Sequence, residues 1–132
     1  MIAAKAFDPV VGIDVHIIQP PGPVPPVPIP HPFVGMLIDP MDFAPIIGAT
    51  VMVNGLPRAT AGTGGKAIPP HIPIGGSFSK PPTNTAQVIT GSPTVMINGK
   101  PAARNGDTAL TCNDPADLPV GTVVSVGTVM VA

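Results

Sequence analysis

The sequence predicts an all-β domain of three β-hairpin-like repeats set around a rough three-fold axis and joined by Pro/Gly-rich loops. Three observations predict it. A segment recurs with its turn chemistry intact, and the apolar residues fall in short runs of Val, Ile and Thr between turn signals. No window holds a helical 3-4 apolar period over three turns.

Residues 50–62 read TVMVNGLPRATAG and residues 94–106 read TVMINGKPAARNG. Thr50, Val51, Met52, Asn54, Gly55, Pro57, Ala59 and Gly62 recur as Thr94, Val95, Met96, Asn98, Gly99, Pro101, Ala103 and Gly106. A partial third copy, GTVMVA at 127–132, aligns Thr128, Val129 and Met130 with the same start and stops before any Asn-Gly pair. In each full copy an alternating run meets Asn-Gly, which suits a type I′ turn because both central positions need φ > 0. Pro101 to Arg104 reads as the return strand, with Pro101 at its start, where a missing N–H does least harm. Asn105-Gly106-Asp107 reads as a closing turn. Ahead of the second copy, Gln87–Thr90 reads as a short strand and Gly91-Ser92-Pro93 as a turn.

Two segments lie outside the repeat. PPGPVPPVPIPHP at 20–32 reads as polyproline II, semi-rigid and without internal hydrogen bonds. Residues 62–86 read as a long irregular connection carrying His71, and a loop of that length in a small domain is usually functional or anchored.

Composition bounds the function. The 132 residues suit one domain, 1–132. With 21 prolines and 15 glycines the chain carries a mark of disorder, but 44% hydrophobic and 10% charged residues argue for a folded body. Six basic against seven acidic residues leave no basic footprint for nucleic acid or an anionic membrane. Prolines and glycines interrupt every apolar run short of a membrane helix. The start, MIAAKAFDPVVGIDVH, lacks the pattern of a secretory signal peptide, so a cytoplasmic origin is expected. One cysteine makes no internal disulfide. With no Trp or Tyr and four Phe the core is thin, which calls for a second stabiliser, a metal or a partner.

The chain contains three histidines, His16, His31 and His71, and one cysteine, Cys112. Imidazole and thiolate are the usual zinc ligands, and four of them fill a tetrahedral structural site. Read singly, each is a hydrogen-bonded histidine or a small buried hydrophobe. Read together in a chain with a thin core, they form a candidate four-ligand site. His31 and His71 both follow proline, a rigid setting for a fixed ligand. Asp14 and Asp107 are candidates to offset the residual positive charge from behind the ligands, although Asp107 reads more readily as a turn or strand-end residue.

The segment GSPTVMINGKPAARNGDTALTC at 91–112, with a literal Pro-Ala-Ala-Arg at 101–104, resembles the signature of the PAAR-repeat proteins. PHIPIGG at 70–76 is similar to that family's histidine-glycine segment, and AAKAFD…H near the start to its opening Ala-Ala-Arg-x-x-Asp…His, with Lys5 for Arg. The first copy departs, with Arg-Ala-Thr in place of Ala-Ala-Arg. The proline-rich 20–32 and HPFVG at 31–35 are closer to a divergent PAAR-like subgroup found with large effectors. The resemblance implies a small cone with a metal-stapled apex, one structural Zn²⁺ held by His16, His31, His71 and Cys112. It implies a membrane-piercing tip whose base caps a trimeric VgrG-type spike of a type VI secretion system, or of a related phage-tail-like contractile particle. The implied protein is a monomer when free, carries or links an effector, fused or separate, and is cytoplasmic until fired into a target cell. Thr50, Val51, Met52, Thr94, Val95, Met96, Thr128, Val129 and Met130 are the candidate spike contacts, because a single chain meets a three-fold end only with three similar faces.

Two other classes compete. A zinc hydrolase with three His ligands needs a general base beside the metal, and the sequence has no glutamate. A proline-rich adaptor would bind peptide-recognition domains through residues 20–30.

Overall fold

In the computed structural model, residues 1–44 and 49–132 are described, and every regular element among them is a strand. In chain order these are β1 Pro9–Gln19, β2 Val27–Leu37, β3 Met52–Val53, β4 Leu56–Pro57, β5 Gly64–Ala67 and β6 Ser77–Phe78. β7 Thr85–Val88, β8 Met96–Ile97, β9 Lys100–Pro101, β10 Thr108–Thr111 and β11 Leu118–Val123 follow. Six strands in the order β11-β10-β7-β5-β2-β1 close into a barrel through a β11–β1 pairing, and β6 adds to β1. All pairings are antiparallel, so β1, β5 and β10 run one way while β2, β7 and β11 return. Val10, Phe33, Leu37, Val88, Ala109 and Val123 fill the interior. Three long up-and-down pairs, β1–β2, β5–β7 and β10–β11, form the body of the cone.

The repeats build one end. β3–β4 turns through Asn54-Gly55 at φ 49° and 81°, and β8–β9 through Asn98-Gly99 at 54° and 76°. Positive φ at both central positions is what Asn-Gly supplies at low steric cost. The return strands are shorter than the sequence suggests, because the chain leaves each hairpin at its proline to enter a ring. Ala4 N–H donates to Ala103 O (2.9 Å), Ala103 N–H to Ala59 O (3.0 Å), and Ala59 N–H to Ala4 O (3.0 Å). This closed cycle marks the pseudo-three-fold axis. All three alanines are buried, and a one-carbon side chain lets three backbones meet there.

The partial copy at 127–132 is completed by residues 1–8. Met130 bridges Ile2, and Ala3 N–H donates to Val129 O (2.9 Å). Arg58 N–H to Val51 O (3.1 Å) and Ala102 N–H to Val95 O (3.0 Å) are the equivalent bonds in the full copies. A tight turn follows the ring in each unit: Asp8, Thr63 and Asp107 donate N–H to the carbonyls of Lys5, Thr60 and Arg104 (3.2, 3.0 and 3.0 Å). Their side chains accept the N–H of the same three residues in return (2.9, 2.9 and 2.6 Å). From these turns β1, β5 and β10 leave the ring.

The departure of the first copy from the motif has a structural counterpart. Lys5–Asp8 (2.9 Å) and Arg104–Asp107 (3.0 Å) form ion pairs within their turns, where the first copy has Thr60 and Thr63. There the charges come from other positions. Arg58, 1% exposed, places Nη1 2.7 Å from Asp42 Oδ2, and Thr63 Oγ1 donates to the same oxygen (2.6 Å).

Three further expectations change. Residues 27–32 of the proline-rich stretch are not free polyproline II but the first half of β2, paired with β1. Pro28, Pro30 and Pro32 lie opposite Ile17, Val15 and Ile13. Val15 and Ile17 turn their own N–H groups away from β2, to Asn113 and Asp114, so the missing donors face the far side of β2, where none is needed for this pairing. The 62–86 connection is not irregular throughout either, since it holds β5, β6 and the start of β7, while the strand expected at 87–90 is β7, Thr85–Val88.

Candidate metal centre

Alternation along β1 turns Val10, Asp14, His16 and Ile18 to the buried face and leaves Ile13 outside. Asp14 lies directly opposite His31 of β2, so the two share that face. His71 follows β5 and Cys112 follows β10. The three strands that leave the ring thus deliver the donors at the end away from the hairpins, Asp14 and His16 from β1, His71 after β5 and Cys112 after β10.

The donor atoms of Asp14, His16, His71 and Cys112 all lie within 4.8 Å of one another. His16 Nε2 stands 3.8 Å from Cys112 Sγ, and His71 Nε2 stands 2.8 Å from Asp14 Oδ2. Cys112 Sγ donates to Asp14 Oδ2 (3.4 Å), while Thr111 Oγ1 and Asn113 Nδ2 (3.2 Å) donate to Oδ1. The imidazole of His16 packs edge-on against those of His71 and His31, with centroids 4.8 and 5.5 Å away.

His31 lies beside this group with both ring nitrogens engaged. Nδ1 donates to Ile29 O (2.8 Å), which leaves the lone pair on Nε2 to accept Ile74 N–H (3.2 Å). That is the tautomer an Nε2 metal ligand needs, fixed by a backbone carbonyl. His31 and His71 also border a cleft of about 280 Å³ walled by Pro32, Val34, Pro70 and Ile72.

The donor set fits a metal ion. Among the described residues, His16 Nδ1 is buried without a hydrogen-bond partner, 3.5 Å from Asp114 Oδ2. A proton there leaves the Nε2 lone pair facing Cys112. Burial, then the neighbouring His71, lowers the His16 pKa and keeps the ring neutral. Burial, then the Asp14 carboxylate, pushes the Cys112 thiol up to about 11, while hydrogen bonds from the backbone of Asn84 and Thr85 to the sulfur pull the other way. A cation among two imidazoles, a thiol and a carboxylate would draw off the thiol proton and occupy the space between them.

The structure therefore gathers His16, His71 and Cys112, keeps His31 beside them, and brings Asp14 to within ligand distance. Asp107 is not in this group. Its carboxylate closes the Arg104 turn and accepts Thr90 Oγ1 (3.1 Å). Sequence reasoning missed Asn113 and Asp114, whose side chains accept the N–H of Val15 (2.7 Å) and Ile17 (2.8 Å) and fasten the ligand-bearing part of β1. The Asn-Asp-Pro run after Cys112 carried that signal, as a turn whose side chains bond backbone.

At the other end, Met52, Met96 and Met130 are 54%, 58% and 64% exposed at equivalent positions of the three units. Asn98 Nδ2 donates to Thr50 Oγ1 (2.7 Å) and Asn54 Nδ2 to Thr128 Oγ1 (2.8 Å), so each full copy's turn reaches the threonine of another unit.

Together these features define a small all-β cone: a closed barrel with a three-fold base and, at its other end, a buried group able to hold a metal ion. The PAAR motif family model matches residues 79–131, which cover β7 to β11, Cys112 and all but the last residue of the partial third copy, so this part of the chain carries a PAAR motif, which supports a PAAR-repeat protein. The PAAR motif is associated with spike-tip proteins of type VI secretion, which are structural tips and not enzymes. No curated protein sequence matches the chain. Among the described residues no helix is long and apolar enough to cross a membrane.

Proposed function

We propose that the chain is a non-enzymatic, membrane-piercing tip that caps the trimeric VgrG-type spike of a type VI secretion system and links or carries an effector. The observation that carries this reading is the Ala4–Ala59–Ala103 ring with its three surrounding units. A single chain matches a three-fold partner only by repeating its own face three times. Val51, Val95 and Val129, with the three exposed methionines, supply such faces in apolar and polarisable form. The candidate contacts Thr50, Thr94 and Thr128 flank them.

In this reading the metal is one structural Zn²⁺, held by His16, His31, His71 and Cys112, with His31 Nε2 giving up the Ile74 amide. Three neutral imidazoles and one thiolate leave a charge of about +1, which the buried Asp14 carboxylate cancels. A second ligand set, with Asp14 in place of His31, is favoured by the closeness of Asp14 to the other three donors. Zinc stoichiometry of His31→Gln and Asp14→Asn separates the two, since the true ligand is the one whose loss abolishes tight uptake.

Size-exclusion chromatography with light scattering, on the protein mixed with a trimeric VgrG-type spike, tests the function. One chain per three spike subunits is expected. Met96→Asp is expected to weaken the complex about 30-fold or more, as an unpaired carboxylate buried in an apolar contact costs about 2 kcal/mol or more. A wild-type protein that never co-elutes, or a complex indifferent to charge at all three methionines, contradicts the reading.

A further inference from the structure

We propose that Phe78 is a positioning residue for the metal group, holding the His16 and His31 imidazoles and sealing the group from water. The inference rests on the metal reading above. The segment between β5 and β7 brings three things to the group. It carries His71, it donates Ile74 N–H to His31 Nε2 (3.2 Å), and it lays Phe78 on two imidazoles. The Phe78 ring centroid is 5.6 Å from that of His16, edge-on at 76°, and 5.5 Å from that of His31.

The segment is fastened as a strap. β6 pairs Phe78 with Ile18 and Ser77 with Gln19, Ser79 N–H donates to Ile17 O (3.0 Å), and His71 N–H donates to Asn84 Oδ1 (2.9 Å). Gly76 permits the closure, because a Cβ there would come 2.2 Å from Gln19 O. Phe33 braces His71 from within the barrel core, with centroids 5.7 Å apart. Two of the chain's four phenylalanines thus stand against imidazoles. Phe33 belongs to the core, whereas Phe78 is half-buried on a two-residue strand outside the barrel, so it can be truncated without opening the barrel. An apolar wall around a metal controls solvent access and fixes its ligands, so removing the ring frees two imidazoles to turn and admits water and chelator.

The test is chelator-driven zinc release from the loaded full chain, followed with a chromophoric chelator, beside the melting temperature of the metal-free protein. Phe78→Ala is expected to release zinc about tenfold faster, and Phe78→Leu at an intermediate rate. Both should keep the sulfur-to-metal charge-transfer band after cobalt substitution, with a metal-free melting temperature close to wild type. A wild-type release rate in Phe78→Ala overturns the proposal, as does faster release matched by an equal loss of metal-free stability. If Phe78→Ala does not fold, Phe78→Leu decides by the same rate. A wild-type chain that takes up no metal overturns the metal reading itself, a result distinct from a loaded chain whose release ignores Phe78.

Discussion

His16 and Cys112 lie 96 residues apart in the chain, yet His16 Nε2 stands 3.8 Å from Cys112 Sγ. They arrive on β1 and just after β10, strands that leave equivalent turns in the same direction, as β5 does before His71. One ion held among these side chains would tie all three units together at the end away from their shared ring.

Metal removal should therefore cost global stability. At free zinc a thousand-fold above Kd, binding to the folded state alone adds about 4 kcal/mol. For a domain of this size that is a melting temperature about 10–20 °C higher than in chelator. Calorimetric scans with and without EDTA measure it, and coincident transitions contradict it. Cys112→Ser should melt near the chelated wild type and ignore added zinc.

Metal uptake should also expel about one proton near pH 7.5. In the metal-free protein Cys112 is a thiol, pushed up from 9.0 to about 11, while His16, lowered by burial, is already neutral. Titration calorimetry in buffers of different ionisation enthalpy counts the protons. The same shift has a second consequence without metal. The raised thiol pKa stabilises the fold fully below pH 9, and this contribution is lost as pH rises through 11. Zinc uptake without proton release contradicts the assignment of Cys112 as a ligand.

Breaking the Arg58–Asp42 pair should be costly. Asp42→Ala removes one ion-pair partner of the Arg58 guanidinium, 1% exposed, and the acceptor of Thr63 Oγ1. Loss of one partner from a buried pair destabilises by about 3–5 kcal/mol. Chemical denaturation of wild type and variant measures it, and a loss below about 1 kcal/mol contradicts the structural role.

Enlarging the ring should separate the repeats. Ala103 is wholly buried on the pseudo-three-fold axis, so Ala103→Val presses against Ala4 and Ala59. Overpacking of this kind costs about 1–3 kcal/mol. Hydrogen exchange should show faster exchange at the three ring amides, and unchanged protection there contradicts the closed cycle.

The turns were legible because Asn-Gly has a local meaning: Asn54-Gly55 and Asn98-Gly99 turn where the sequence puts them. The completion of the third repeat was not, because sequence alignment runs along the chain, whereas Met130 finds its partner in Ile2. Pro28, Pro30 and Pro32 read as an unpaired stretch until β1 showed that their missing donors point away from the ladder. Three of the four expected ligands come together with no helpful spacing, since strand direction, not sequence distance, sets their meeting point. Asp14 was read as a supporting residue and lies among the donors, because the pleat that turns His16 inward turns Asp14 inward too. Asp107 went to its turn because Arg104, three residues earlier, offers both a backbone N–H and a guanidinium.

The central claim is that one zinc ion joins the three ascending strands. X-ray absorption at the zinc edge, on protein purified without chelator, tests it most directly. The account predicts one zinc per chain with a single sulfur in a four-atom shell completed by imidazole nitrogen, or by two imidazoles and one carboxylate oxygen. A substoichiometric metal, or a shell without sulfur, would contradict it.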